Sequence, residues 1–168
     1  MEPFESVFWR QEMKRWTLFV LVFGSLVGLA AGKTQEKIKK ANPWVGVWKL
    51  DISKSKLHES PKQETMQIDS ADKSSIKYSI RGISDEGKEY TEKYDGKPDG
   101  NAYPVLVDGK ELGKIAFAWQ SEHVCTAQGQ GPGGSTLAET VTLSNDGKTI
   151  TIKSREGKEE EETAVYIR

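Results

Sequence analysis

The stretch that decides the fold is Pro43-Trp44-Val45-Gly46-Val47-Trp48-Lys49-Leu50-Asp51. Trp44, Gly46 and Trp48 share one parity, and the residues between them share the other. Because successive side chains of a strand point to opposite faces, this alternation predicts an opening β-strand. We expect Gly46 to leave room for a neighbouring backbone or for an indole, so that Trp48 plugs one end of a barrel.

After this stretch the chain repeats short alternating segments that are separated by Gly, Asp, Asn and Pro. The pattern predicts strands near 45–51, 63–69, 75–82, 88–95, 103–107, 114–120, 122–128, 136–144, 148–154 and 161–167. Turn sequences such as Asp108-Gly109 and Asn145-Asp146-Gly147 tolerate positive φ where strands reverse. The sequence therefore predicts an all-β protein, a single antiparallel up-and-down barrel of about 8–10 strands.

The N-terminal residues have the pattern of an export signal. Lys14 and Arg15 precede an uncharged, apolar run that ends in small residues by Gly32. We therefore predict a signal helix over residues 1–32, for which Met13 is the better natural start, then a polar leader over 33–42 and a barrel domain over 43–168. The alternative is an uncleaved segment that anchors the protein to a membrane. Either way, we expect an extracytoplasmic protein, periplasmic or secreted.

The net charge and the cysteine content argue against several classes of protein. The formal net charge is −1, which is not typical of a nucleic-acid-binding protein. Cys125 is the only cysteine, so the chain can form no internal disulfide. The predicted barrel domain has the length of one hydrophobic core, and we expect a monomer without a cofactor.

Gly46-Val47-Trp48 resembles the Gly-x-Trp opening of lipocalins. Together with Lys93-Tyr94-Asp95-Gly96-Lys97 and Ser144-Asn145-Asp146-Gly147-Lys148-Thr149, it is similar to small exported bacterial lipocalin-like proteins of unassigned activity. The resemblance implies a barrel whose end is closed by Trp48. The sequence departs from the lipocalin pattern in having no Thr-Asp-Tyr motif and no evident late arginine to cover Trp48.

The apolar parities predict the interior of the barrel. One face of successive strands carries Met66, Ile68, Ile76, Tyr78, Ile80, Tyr90, Tyr94, Ile115, Phe117, Trp119, Leu137, Val141, Leu143, Ile150, Ile152, Val165 and Ile167. These side chains either line a cavity or fill a solid core, and the sequence leaves both open.

Two glutamates interrupt this parity. Glu139 shares a face with Val141, and Glu92 lies between two tyrosines. A β-bulge, a rim position or a partner such as Arg81 would give either carboxylate a purely structural role. If both face inward, they suit a cationic or donor-rich ligand with an apolar body. The candidate ligand-binding residues are Tyr78, Tyr90, Glu92, Tyr94, Trp119 and Glu139, with Gly46 and Trp48 as the structural floor.

The sequence offers little for catalysis or metal binding. There is no Gly-x-Ser-x-Gly elbow, and neither histidine has an evident nucleophile with an acid behind it. His123 and Cys125 are too few ligands for a zinc site. We therefore expect no enzyme activity and no metal.

Two function classes remain foremost. The first is an exported lipocalin-like protein that binds a small, partly apolar ligand. The alternative is an envelope or secreted interaction or inhibitor protein with a solid barrel and no small-molecule ligand. Whether the interior holds a cavity distinguishes them.

Overall fold

The computed structural model describes residues 41–130 and 134–168, and ten β-strands of that part form a closed antiparallel barrel. The strands are β1 Gly46–Leu50, β2 Gln63–Ala71, β3 Ile76–Ile83, β4 Glu89–Gly96, β5 Tyr103–Val107, β6 Lys110–Trp119, β7 Val124–Gln130, β8 Thr136–Leu143, β9 Thr149–Glu156 and β10 Glu162–Ile167. A single turn of 3-10 helix, Ile52–Lys54, follows β1.

Each strand pairs with its neighbours in chain order, and β1 closes the barrel against β10. At the closing seam Lys49 lies opposite Ile167, and Leu50 lies opposite Tyr166. This is the up-and-down meander that the alternating segments predict, with ten strands. Asp108 has a φ of 49° and Gly109 a φ of 80°, so the tight turn between β5 and β6 uses the positive φ that its sequence predicts.

Gly46 is required for a different reason from the one the sequence suggested. Its φ is +140°, a conformation that side-chain-bearing residues rarely adopt, and no heavy atom lies within 4 Å of the place where a Cβ would stand. Backbone conformation therefore selects glycine here, and close approach of a backbone or an indole does not.

Trp48 is fully buried, as predicted, and lies in a hydrophobic cluster with Trp44, Leu143 and Ile150. Its indole Nε1 donates to the carbonyl of Trp44 over 3.0 Å, and Trp44 in turn donates to the carbonyl of Glu122 over 2.9 Å. The Arg168 guanidinium lies 4.0 Å from the centre of the Trp48 ring. The expectation that no late arginine covers Trp48 was wrong, because the C-terminal arginine does so.

The interior parity holds on most strands but not on β10. Tyr166 is 3% exposed, and with Ala164 it faces the barrel interior. The predicted interior residues Val165 and Ile167 are therefore on the other face. Pairing with β1 decides this, because Tyr166 lies opposite Leu50, which also faces inward.

The predicted signal helix and all but the end of the polar leader lie outside the described residues. Among the residues that the structure describes, no helix is both long and apolar enough to cross a membrane.

Candidate functional site

The barrel interior is not solid. A cavity of about 310 Å³ lies inside it, walled largely by apolar side chains from both sides of the barrel. The apolar wall includes Met66, Ile68, Ile76, Ile80, Phe117, Val141, Ile150 and Ile152. The volume is at the lower end of the roughly 300–1,000 Å³ typical of small-molecule pockets.

The segment between the 3-10 turn and β2 covers part of this cavity, to which it contributes Leu57, Glu59 and Pro61. Two backbone hydrogen bonds join Lys56 to Thr163, with N···O distances of 2.7 and 2.8 Å. The backbone N–H of His58 donates to the Glu162 carboxylate over 2.6 Å. This segment is therefore attached to β10 at the cavity.

Glu92 faces inward, where its carboxylate accepts a hydrogen bond of 2.9 Å from the Tyr78 hydroxyl. Burial raises the pKa of Glu92 and the nearby Glu64 raises it further, while the bond from Tyr78 opposes both. The alternative partner, Arg81, is exposed on the outer face. Glu92 is therefore neither a rim residue nor half of an ion pair with that arginine.

Glu139 also faces the interior and lines the cavity. Burial, and to a smaller extent the charge of Glu92, raise the pKa of its carboxyl to about 7. The Glu139 side chain is only partly exposed, and it contributes to the cavity wall. Its charge at neutral pH therefore responds to whatever enters the cavity.

A third interior carboxyl, Glu64, was not among the site residues predicted from the sequence. It accepts hydrogen bonds from the hydroxyls of both Tyr90 and Tyr166, and all three residues line the cavity. Burial and the negative charge of Glu64 raise the pKa of both tyrosines, so they remain neutral donors. The signal was present in the parity, because Glu64 shares a face of β2 with Met66 and Ile68.

Glu92 and Glu139 lie between two cavities of the barrel interior. Both line the main cavity, and both also line a second cavity of about 150 Å³ towards β5 and β6. Lys114 borders the second cavity, but its Nζ lies 3.8 Å from Glu111 and its side chain is 58% exposed. The two carboxyls are therefore at the centre of the barrel's interior space.

The aromatic candidates divide into two groups. Tyr78, Tyr90 and Trp119 line the cavity, and Trp119 donates its Nε1 proton to the carbonyl of Asp72 over 2.9 Å. Tyr94 does not line the cavity. It is 1% exposed, its ring is stacked 5.6 Å behind that of Tyr78, and burial raises its pKa to about 12. In the structure Tyr94 therefore packs behind Tyr78, and its role as a ligand contact stays a prediction.

The residues considered for metal binding and nucleophilic chemistry do not form a reactive pair. His123 Nδ1 is 3.2 Å from the carbonyl oxygen of Leu143. Cys125 is buried, and burial raises the pKa of its thiol to about 11, which keeps it protonated. Within 41–130 and 134–168, no group of three or more His, Cys, Asp or Glu side chains is placed to hold a metal ion.

Comparison by sequence finds no matching family model and no matching curated protein. Comparison of structures finds a fatty acid binding protein of Schistosoma mansoni, solved in complex with arachidonic acid, with a TM-score of 0.52 and 16% identity over 75% of this chain and 96% of that chain. A redesigned β-barrel matches with a TM-score of 0.46 and 10% identity, over 76% of this chain and 92% of that chain. The chain thus has a closed, ten-stranded antiparallel barrel fold like that of a fatty acid binding protein.

Proposed function

We propose that this protein is an exported, lipocalin-like barrel that binds a small, partly apolar ligand in its interior. The observation that carries the proposal is the cavity of about 310 Å³, in which an apolar wall surrounds a few polar groups. That combination is typical of small-molecule sites, because the apolar wall supplies binding energy and the polar groups orient the ligand.

The fold supports the same proposal. The Schistosoma mansoni fatty acid binding protein, which has a similar barrel, was solved with arachidonic acid. The alternative of a solid barrel that acts only through its outer surface loses its premise, since the described interior contains a cavity.

Export is supported by the sequence of residues 14–32, where two basic residues precede an apolar run that ends in small residues. A ligand-binding barrel released from such a segment would work outside the cytoplasm. The solid-core alternative shares this location, so localisation alone does not separate the two functions.

The test is a fluorescence titration of the protein, purified from cells that express the full chain, with the neutral apolar dye Nile red. We expect saturable enhancement of the dye's emission. Ala164→Phe should abolish it, because Ala164 lines the cavity and the new ring would occupy that space. Ala138→Phe is the matched control, because Ala138 is exposed on the outside of β8.

Thermal unfolding of each variant establishes that it is folded. If the dye shows no saturable binding, or binds folded Ala164→Phe as well as the unaltered protein, the cavity is not a binding site and the proposal fails.

A further inference from the structure

Among the described residues, the charged side chains that line the cavity are all glutamates. Glu64, Glu92 and Glu139 line its interior, and Glu59 and Glu162 line it near the covering segment. Among the cavity-lining side chains of the described residues there is no lysine, arginine or histidine. Carboxyl groups that share a poorly solvated space disfavour one another's ionisation. A positive group that entered the cavity would reverse that effect.

Glu139 distinguishes this arrangement from a merely acidic patch. The other two interior carboxyls have donors, since Glu64 accepts from two tyrosines and Glu92 accepts from Tyr78. Glu139 is only partly buried and lines the cavity, and no hydrogen-bond donor of the described residues reaches its carboxyl. A carboxyl that lines a largely apolar cavity without a protein donor is poorly solvated, so its acceptors are open to a donor that enters the cavity.

An organic cation matches the cavity around this carboxyl better than a metal ion does. The described residues contain no cluster of three metal-ligating side chains. The cavity that Glu139 lines also has the apolar side chains of Met66, Ile68 and Val141 in its wall, which suit a hydrocarbon body. A metal ion would make no use of these walls.

We propose that the ligand is a monovalent organic cation, with an alkylammonium-like head bound by Glu139 and Glu92 and an apolar body along the cavity wall. This inference rests on the proposed function, because it names the ligand class of the same cavity. An ammonium head carries several donors, enough for both carboxylates. The same carboxylates repel an anionic head, and a neutral alcohol brings only one donor.

The test is isothermal titration calorimetry of the purified protein with octylammonium, octanol and octanoate, which share one hydrocarbon chain and differ in head charge. At about pH 8 the ammonium head is still protonated, as a lysine side chain would be. We expect octylammonium to bind at least about tenfold more tightly than octanol, which corresponds to one charge-assisted hydrogen bond. Octanoate should bind most weakly.

Glu139→Gln should reduce the affinity for octylammonium about tenfold while changing that for octanol little. Glu89→Gln is the matched control, because Glu89 is exposed on the outer face of β4, and it should leave the order of affinities unchanged. If octanol binds as tightly as octylammonium, or octanoate binds more tightly, the cationic class is wrong and the proposed function stands. If none of the three binds, both proposals fail.

Discussion

Replacing Glu139 with glutamine should stabilise the ligand-free protein above neutral pH. Burial and the neighbouring Glu92 raise the pKa of the Glu139 carboxyl from 4.5 to about 7. At about 1.4 kcal/mol per pKa unit, that difference corresponds to about 3 kcal/mol that opposes folding when the carboxyl must ionise. Glutamine has nearly the same shape without the charge, so most of this free energy should appear as added stability.

The way in which the stability changes with pH follows from the different proton affinities of the folded and unfolded states. The folded protein holds the Glu139 proton more tightly than the unfolded chain does, so protonation favours folding. This stabilisation is fully present below about pH 4.5 and is lost as the pH rises through about 7. Glu92, which faces the same space, has a pKa raised in the same direction, whereas Tyr78 and Cys125 stay neutral because burial raises theirs. Glu139→Gln should therefore reduce the loss of stability between pH 5 and 8.

The assay is urea unfolding followed by tryptophan fluorescence at about pH 5 and about pH 8. With a denaturant dependence of about 2 kcal/mol/M, a stabilisation of about 3 kcal/mol raises the midpoint by about 1.5 M. Glu89→Gln removes an exposed carboxylate and should leave the midpoint unchanged. If Glu139→Gln has the same midpoint as this control at about pH 8, or a lower one, the carboxylate is well hydrated in the cavity and the reasoning is refuted.

Three further predictions concern the floor, the thiol and the N-terminus. Trp48→Ala should cost about 3–5 kcal/mol in urea unfolding, because the indole is fully buried, and a loss no larger than that of Val47→Ala, at a position 51% exposed, would contradict its role as the floor. Cys125 should react with a thiol reagent far more slowly in the folded protein than in urea, because its thiol is buried and protonated, and equal rates would show that it is accessible. The exported protein should have an intact mass that places cleavage before residue 34, and a mass that retains residues 16–29 would instead indicate an anchored protein.

The strands were predictable because their information is local. Side chains alternate with a period of two along each strand, and residues that tolerate positive φ mark the reversals, as at Asp108-Gly109. When successive strands are joined by short turns, neighbours in sequence become neighbours in the sheet, so the order of the strands follows as well.

The parity of β10 was not predictable in this way, because both of its faces carry apolar residues. Ala164 and Tyr166 alternate with Val165 and Ile167, and periodicity alone does not choose between the two sets. The choice is made by pairing with β1, which begins more than 100 residues earlier. The contact of Arg168 with Trp48 depends on the same closure, so it too lay beyond local patterns.

The candidate site was predictable in part for a related reason. Glu92 and Glu139 could be found because each interrupts an apolar parity on its own strand. The hydrogen-bond partners of these two carboxyls could not be predicted. The Tyr78 hydroxyl reaches Glu92 from a neighbouring strand, whereas no donor among the described residues reaches Glu139. Glu64 shows the same limit, since its two tyrosine donors come from β4 and β10.

The interior carboxyls lower the stability of the ligand-free barrel, and this cost supports a role for them in ligand binding. A barrel selected for stability alone would place an apolar residue at position 139, because the desolvation that raises the pKa of Glu139 opposes folding when this carboxyl is ionised. A cation that binds there offsets this cost, since it supplies donors to the free oxygens and makes ionisation favourable. The same carboxyl also discriminates, because an anionic ligand of equal size would meet an unfavourable charge. A residue that destabilises the empty barrel can thus select what fills it.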